Sequence, residues 1–160
     1  MKPIIALLDF SAVTDRVFET AADLAAALHC GVVLLHVVQA SKVSAAGITS
    51  IDVLQDAVTA KEQQAARQLE RYEKRMQLDH GSVSKLLLRG VPAPQIVAYA
   101  EKTGAAFLVM GSHGEGAIAG RLVGGTIEAV LRRTVCPVIV VPHPELGLGH
   151  ADAVWAGTTP

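Results

Sequence analysis

Residues 107–125 read FLVMGSHGEGAIAGRLVGG, and this stretch is the most informative about the fold. An apolar run of strand length passes directly into a loop that holds six of the chain's 14 glycines, and a helical pattern follows. Strand, glycine-rich loop and helix in this order are typical of phosphate-binding sites. Bare backbone lets amide groups converge on an anion, and the amino terminus of a helix adds its dipole. A long flexible connector is the plain alternative, and the stretch alone leaves both open.

The rest of the chain alternates apolar runs with helical patterns, which predicts an α/β protein whose helices cover both faces of a parallel sheet. The predicted strands are residues 3–9, 31–38, 83–89, 105–110 and 136–142. The predicted helices run from Ser11 or Thr14 to a stop at Gly31, and over 52–80, 95–102 and 125–133.

Four of the predicted strands are nearly continuous in apolar residues, as strands covered on both faces should be. The third also carries Ser84, Lys85 and Arg89, so we expect it at an edge of the sheet. The charged residues of the long second helix, from Lys61 to Arg75, are expected to form a solvated face.

The strand order follows if the first three strands wind one way and the fourth crosses over to lie beside the first. The fold is then a three-layer open sheet of five parallel strands in the order 3-2-1-4-5. Ligands of open α/β sheets bind where the winding reverses, here between strands one and four. Asp9 ends strand one, where it either caps the first helix or contacts the ribose or base side of a ligand.

Composition limits the remaining possibilities. The chain has 160 residues, 51% of them hydrophobic, and a formal net charge of −1. This predicts one globular domain over residues 1–142, with residues 143–160 as a C-terminal extension that lacks periodicity. Near-neutral charge and 4% aromatic residues argue against a nucleic-acid partner.

The expected location is the cytoplasm. No apolar run approaches the 20 or so residues of a membrane span, and the first apolar run is too short for a signal peptide. Cys30 and Cys136 adjoin apolar runs, which favours buried thiols in a reducing compartment over a disulfide.

Familiar catalytic and metal-binding motifs fit poorly. No glycine precedes the Lys and Ser or Thr of a Walker A loop. Residues 114–119 match G-x-G-x-x-A, but they follow the fourth strand, and the next strand has no acidic residue at its tip. Ser11 and Ser112 lack an identifiable base, and the polar residues of the tail fit no metal-site spacing. We therefore predict neither a catalytic residue nor a metal site.

Five short segments, taken together, resemble the universal stress protein family. They are DFS at 9–11, LHVV at 35–38, GVP at 90–92, GSHG at 111–114 and CPVIVV at 136–141. The resemblance extends over about residues 2–142. It is specific because the segments occur in the expected order and at the expected separations.

The family's nucleotide-binding members share the pattern G-x2-G-x9-G-[ST], and Gly111, Gly114 and Gly124 fit its spacing. The resemblance implies an adenine nucleotide, ATP or else AMP or ADP, with or without Mg²⁺. Its phosphates would lie on these glycines and the start of the last helix, and its ribose and adenine on Asp9 and the backbone near Val37 and Val38. The full implied set is Asp9, Phe10, Ser11, Val37, Val38, Met110, Gly111, Ser112, His113, Gly114, Gly124, Gly125 and Thr126.

The pattern fails at one position, where Gly125 stands in place of the hydroxyl residue. Thr126 comes one residue later, and on a helix one residue turns a side chain by about 100°. Glu115 adds a negative charge to the loop. The backbone amides remain, and one neutral hydrogen bond is worth only about 0.5–1.5 kcal/mol.

The leading interpretation is a non-catalytic, nucleotide-binding stress-response regulator with at most slow ATPase activity, whose state an unidentified protein partner reads. The alternative is a dimeric interaction or chaperone-like module of the same fold without nucleotide. The last strand is apolar on both faces at a predicted sheet edge, which calls for pairing or cover. Since family members commonly pair this strand, the resemblance implies a homodimer through Pro137, Val138, Ile139, Val140 and Val141.

Overall fold

The computed structural model describes residues 2–39, 51–80, 82–112 and 125–142. Its strands are β1 Ile4–Leu7, β2 Val32–Val38, β3 Val83–Arg89, β4 Phe107–Gly111 and β5 Val138–Val141. Its helices are α1 Thr14–Leu28, α2 Ile51–His80, α3 Pro92–Thr103 and α4 Gly125–Leu131.

The five strands form one parallel sheet in the order β3-β2-β1-β4-β5, which confirms the predicted architecture. The order places β3 at one edge, as predicted, and β5 at the other. β1 lies centrally, with Ile4 beside Val32 of β2 and Phe107 of β4. The winding reverses between β1 and β4, so the carboxyl ends of these two strands flank the switch point.

Each face of the sheet buries its own apolar cluster. On one face α1 and α2 contribute Val17, Phe18, Leu69 and Met76 to a cluster with alternate strand residues such as Leu34. On the other face α3 and α4 pack Ile96, Val97, Ile127 and Val130 against the intervening strand residues. Apolar side chains on both faces explain the nearly unbroken apolar sequence of the inner strands.

Two predicted helix ends were wrong, whereas α1 spans Thr14 to Leu28, the last apolar residue of its predicted pattern. α1 ends at Leu28, where His29 takes the left-handed conformation (φ 51°), so the chain turns two residues before Gly31. α3 begins at Pro92 instead of residue 95, because proline is well suited to the first helical position. α4 ends at Leu131, two residues earlier than expected. β1 and β5 are also shorter than predicted.

The charged face of α2 is only partly solvated, so the prediction for it was wrong at two residues. The Glu62 side chain is only 13% exposed and pairs with Arg89 of β3, with Nε 2.5 Å from Oε1. Glu73 is likewise largely covered and accepts a hydrogen bond from Lys85 of β3. These two glutamates of α2 therefore form ion pairs with the edge strand.

The described residues contain no helix that is long and apolar enough to cross a membrane. Cys30 and Cys136 are free thiols, and both are half-buried where the sequence predicted full burial. Burial raises the pKa of Cys136, which favours its protonated thiol form.

Candidate functional site

The predicted site residues come from three places at the carboxyl ends of the strands. Asp9, Phe10 and Ser11 form the connection between β1 and α1, and Val37 and Val38 end β2. From β4 and its continuation come Met110, Gly111 and Ser112, while Gly125 and Thr126 open α4. His113, Gly114 and Gly124 lie outside the described residues.

The Asp9 side chain stabilises the turn that leads into α1. Its Oδ1 accepts three hydrogen bonds, from the Ser11 amide at 3.0 Å, the Ser11 hydroxyl at 2.7 Å and the Thr14 hydroxyl at 3.0 Å. Within the described residues, donors reach only this oxygen. The helix N-cap itself is Val13, which makes no side-chain capping bond, so Asp9 organises the preceding turn. One carboxylate oxygen is thus fixed in place, and Oδ2 keeps its capacity to accept from a ligand.

Phe10 has the left-handed backbone conformation, with φ 63°. For a residue with a bulky side chain this costs about 1–3 kcal/mol, and such strain clusters at ligand sites. The ring lies between two aromatic neighbours, with centroids 4.5 Å from His36 and 6.5 Å from Tyr72. Packing from β2 and α2 therefore stabilises a strained turn at the switch point.

His36 is a site residue that sequence reasoning missed, apart from its place in the LHVV segment. Its Nδ1 lies 2.6 Å from the carbonyl oxygen of Leu8, just past the end of β1. Because a carbonyl only accepts, Nδ1 carries the proton. The available signal was a single imidazole among the apolar residues of β2.

The Val37 peptide groups face the space beyond the end of β1. The Leu35 carbonyl accepts from Leu8 on the β1 side, at 2.9 Å, and the Val38 carbonyl accepts from Gly90 on the β3 side, at 3.0 Å. Successive residues of a strand direct their backbone groups to opposite sides, so Val37 N–H and C=O point toward β1. The β1–β2 register ends at Leu7 and Leu35, and no described residue bonds to these two groups.

The β4 side contributes backbone groups. Met110 is buried among apolar side chains of the α3 and α4 face, so its side chain serves the core. Ser112 is also buried, and its N–H donates to the Val141 carbonyl at 2.7 Å. Gly125 and Thr126 are exposed, and a Cβ added at Gly125 would meet no described atom within 4 Å. None of the described residues therefore obstructs a hydroxyl side chain at Gly125.

The opposite end of the sheet offers a cavity of about 570 Å³. It lies among the amino ends of β1 and β2, the end of α1, and Ser82 and Ser84. The lining residues that the structure describes include no carboxylate, lysine or arginine.

A doubly wound parallel sheet with a carboxylate and a strained turn at its switch point defines the class of open, doubly wound α/β proteins. The particular family follows from comparison with known proteins. The sequence model of the universal stress protein family matches residues 1–142, and the chain belongs to that family.

Individual relatives agree. Universal stress protein A homolog 1 of Coxiella burnetii is 27% identical over 140 residues, which cover 88% of this chain and 95% of that protein. Universal stress protein MJ0531 of Methanocaldococcus jannaschii is 42% identical over 59 residues. That match spans 37% of this chain and only 35% of the relative.

Solved structures share the fold. Universal stress protein UspA from Lactobacillus plantarum superposes with a TM-score of 0.78 at 22% identity, covering 88% of this chain and 97% of that chain. A universal stress protein in complex with cAMP gives 0.62 at 21% identity, covering 89% and 97%. The Archaeoglobus fulgidus protein in complex with dAMP gives 0.62 at 20% identity, covering 88% and 97%.

Proposed function

We propose that this chain binds an adenine nucleotide at the carboxyl ends of β1, β2 and β4. The observation that carries the proposal is that no described residue bonds to the N–H or C=O of Val37, which face the space beyond the end of β1, the strand that leads to Asp9. A donor and an acceptor side by side match the Watson–Crick edge of adenine, where N1 accepts and the N6 amine donates. The structural neighbours crystallised with cAMP and dAMP support the same ligand class.

Each part of the nucleotide then has a proposed partner. The N–H and C=O of Val37 bind the Watson–Crick edge of adenine, and Val38 is the next residue of the strand. Phe10 and Ser11 form the turn that follows Asp9. Asp9 accepts from the ribose hydroxyls through Oδ2. The phosphates lie on the backbone from Met110 to Gly114 and on Gly124, Gly125 and Thr126, with Mg²⁺ as an optional counter-ion. This assignment rests on the family pattern for the residues outside the described ranges.

We further propose that binding regulates rather than catalyses, with at most slow ATPase activity. Among the described site residues, the one carboxylate is Asp9, whose Oδ1 already accepts three hydrogen bonds. A carboxylate occupied in this way is a poor general base. Nucleotide occupancy would then be read by a protein partner in the cytoplasm, where free thiols such as Cys30 and Cys136 are ordinary.

The proposed assembly is a homodimer through Pro137–Val141, with residues 1–142 as the domain and 143–160 as an extension. Val140 is 39% exposed in the outer strand, and the nearby Val135 is 88% exposed. An outer strand with exposed apolar side chains is suited to pairing with a second copy.

One observation favours a second candidate, a dimeric interaction module without nucleotide. Gly125 removes the hydroxyl that the family's nucleotide-binding pattern contains. The loss of one neutral hydrogen bond weakens binding by roughly two- to tenfold, which lowers affinity without abolishing it. We therefore rank nucleotide binding first.

The deciding experiment is to heat-denature freshly purified protein, identify released nucleotide by chromatography, and repeat thermal melts with ATP, AMP and Mg²⁺. Released adenine nucleotide, or a melting temperature raised by millimolar ligand, supports the proposal. Gly125→Ser should strengthen binding by roughly two- to tenfold, whereas Gly125→Ala adds the same Cβ without the hydroxyl and serves as its control. An empty protein whose melt ignores ATP, with Gly125→Ser equally silent, would favour the interaction module.

A further inference from the structure

We propose that His36 is a positioning residue that keeps the Val37 amide available for adenine. It does so by supplying the donor that the Leu8 carbonyl needs, so that this carbonyl is satisfied without the Val37 amide. The inference rests on the proposed nucleotide function for its consequence, but its structural part can be tested without any ligand.

β1 and β2 pair in parallel from Ile4 and Val32 to Leu7 and Leu35. The Leu8 amide donates to the Leu35 carbonyl at 2.9 Å, which is the last described bond between backbone groups of the two segments. One further step of a parallel ladder would join Val37 N–H to the Leu8 carbonyl, since each residue bonds to the two neighbours of its partner. That carbonyl instead accepts from His36 Nδ1, at 2.6 Å.

The imidazole therefore ends the ladder one step early. Leu8 is buried, and a buried carbonyl needs a donor. With His36 present the need is met by a side chain, so the Val37 amide is left facing the crevice. Without the imidazole donor, the Val37 amide is the nearest ladder partner, and pairing would remove it from the site.

The same ring also packs on Phe10, at 4.5 Å between centroids, so two roles must be separated. His36→Phe keeps an aromatic ring against Phe10 and removes the donor. His36→Asn keeps a short side-chain donor for the Leu8 carbonyl and removes the ring. A role in packing alone predicts that phenylalanine is the milder change, whereas the positioning role predicts that asparagine is.

The ligand-free test is NMR of the whole protein. In the wild type we expect a through-hydrogen-bond coupling between His36 Nδ1 and the Leu8 carbonyl, and none from Val37 N–H. In His36→Phe the Val37 amide should couple to that carbonyl and exchange with solvent at least tenfold more slowly, and His36→Asn should resemble the wild type. A Val37–Leu8 coupling in the wild type, or none in a folded His36→Phe protein, would overturn the inference. The wild-type measurement stands even if His36→Phe does not fold.

The binding test compares AMP with IMP, whose Watson–Crick edge presents N1–H and a carbonyl in place of the adenine pattern. The wild type should prefer AMP. His36→Phe should raise the dissociation constant for AMP by roughly three- to tenfold, the value of one neutral hydrogen bond, and leave IMP unchanged. His36→Asn should restore the preference.

The failures are distinguishable. If the wild type binds neither nucleotide, the proposed function is wrong and the binding role of His36 falls with it, while the NMR result still decides the hydrogen-bond arrangement. If the wild type binds AMP and His36→Phe binds it equally well, the proposed function stands and the positioning role is overturned.

Discussion

The two outer strands of the sheet face the same problem, a row of unpaired backbone groups, and they differ in how it is met. β3 carries Lys85 and Arg89, whose charges pair with Glu73 and Glu62 of α2. β5 reads VIVV and is only four residues long, with Val140 exposed. Charge at an edge discourages a further strand, and its lack invites one. The contrast indicates that β3 is built to remain an edge, and it supports our proposal that β5 pairs with a second copy.

The largest expected effect comes from placing a charged residue in β5, like those that β3 carries. Val140→Lys would set two like charges close together across the proposed dimer, at a cost of several kcal/mol. The dimer dissociation constant should rise by roughly 100-fold or more. At micromolar concentration, light scattering should then report the mass of one chain, 16.7 kDa.

The matched control is Ser84→Lys, an exposed position on β3. It adds the same charge at the other edge and should leave the mass unchanged. A wild-type protein that already has the mass of one chain would end the dimer proposal and, with it, this interpretation of the two edges.

The next prediction tests whether the ion pairs of β3 stabilise the folded protein. Arg89→Met leaves the Glu62 carboxylate, only 13% exposed, without its cation. We expect a loss of about 1–2 kcal/mol in the free energy of unfolding, between the values for exposed and for buried pairs. Denaturant unfolding measures it. Adding Glu62→Met should recover most of the loss, because an apolar pair replaces the ionic one.

Arg132→Met is the comparison, because Arg132 also pairs with a glutamate, Glu128, whose side chain is 51% exposed. Its loss should cost less than about 0.5 kcal/mol. Equal effects of the two substitutions would mean that the partial burial of Glu62 contributes nothing, and the two edges would differ less than the structure indicates.

The same contrast shows what the sequence could and could not predict. The alternation of apolar runs and helices predicted the parallel sheet, and its strand order followed once the first three strands were assumed to wind one way. Ser84, Lys85 and Arg89 correctly marked β3 as an edge. The pairing of Glu62 and Glu73 with β3 was not predictable. Helical spacing tells which residues share a face, but not which part of that face meets another strand.

At the candidate site, too, some features could be predicted from the sequence and others could not. The sequence pointed to Asp9 and left open whether it caps a helix or contacts a ligand; the structure shows Oδ1 fastening the turn. The left-handed Phe10 had no sequence signal of its own, and the single imidazole in β2 drew attention to His36 without indicating its bond to Leu8. Both depend on the meeting of β2 with the end of β1, where His36 reaches Leu8 and Phe10, and only the packed fold determines that contact.

A smaller effect concerns the polar contacts between α2 and α1. The Tyr72 hydroxyl donates to Asp15 of α1 at 3.2 Å, and Arg75 pairs with Asp15 and Glu19. Burial, together with the Asp15 charge, raises the pKa of Tyr72 from its ordinary 10 to about 12. Because the folded pKa lies above the unfolded one, this contribution to stability is complete below pH 10 and is lost as the pH rises to 12.

The measurement is the free energy of unfolding between pH 9 and 12. The Tyr72→Phe protein should lose stability less steeply than the wild type. Some alkaline loss should remain, because the hydrogen bond to Glu73 raises the pKa of Lys85 as well. Identical slopes would show that the Tyr72 hydroxyl does not help to hold α2 on α1.

The smallest effect would link β5 to the nucleotide site. The Ser112 amide donates to the Val141 carbonyl at 2.7 Å, and Arg16 of α1 donates to the Pro142 carbonyl at 2.9 Å. Under our proposal a nucleotide orders the Gly111–Ser112 backbone, so part of that ordering reaches the end of β5 through one hydrogen bond. A strengthening worth about 0.5 kcal/mol in each of the two chains makes the dimer about fivefold tighter when both chains carry AMP. Linkage divides this coupling equally between the two sites, so Val140→Lys monomers should bind AMP about twofold more weakly than the dimer does. Titration of AMP into both proteins measures this factor, and equal affinities would mean that β5 is insensitive to the site and serves assembly alone.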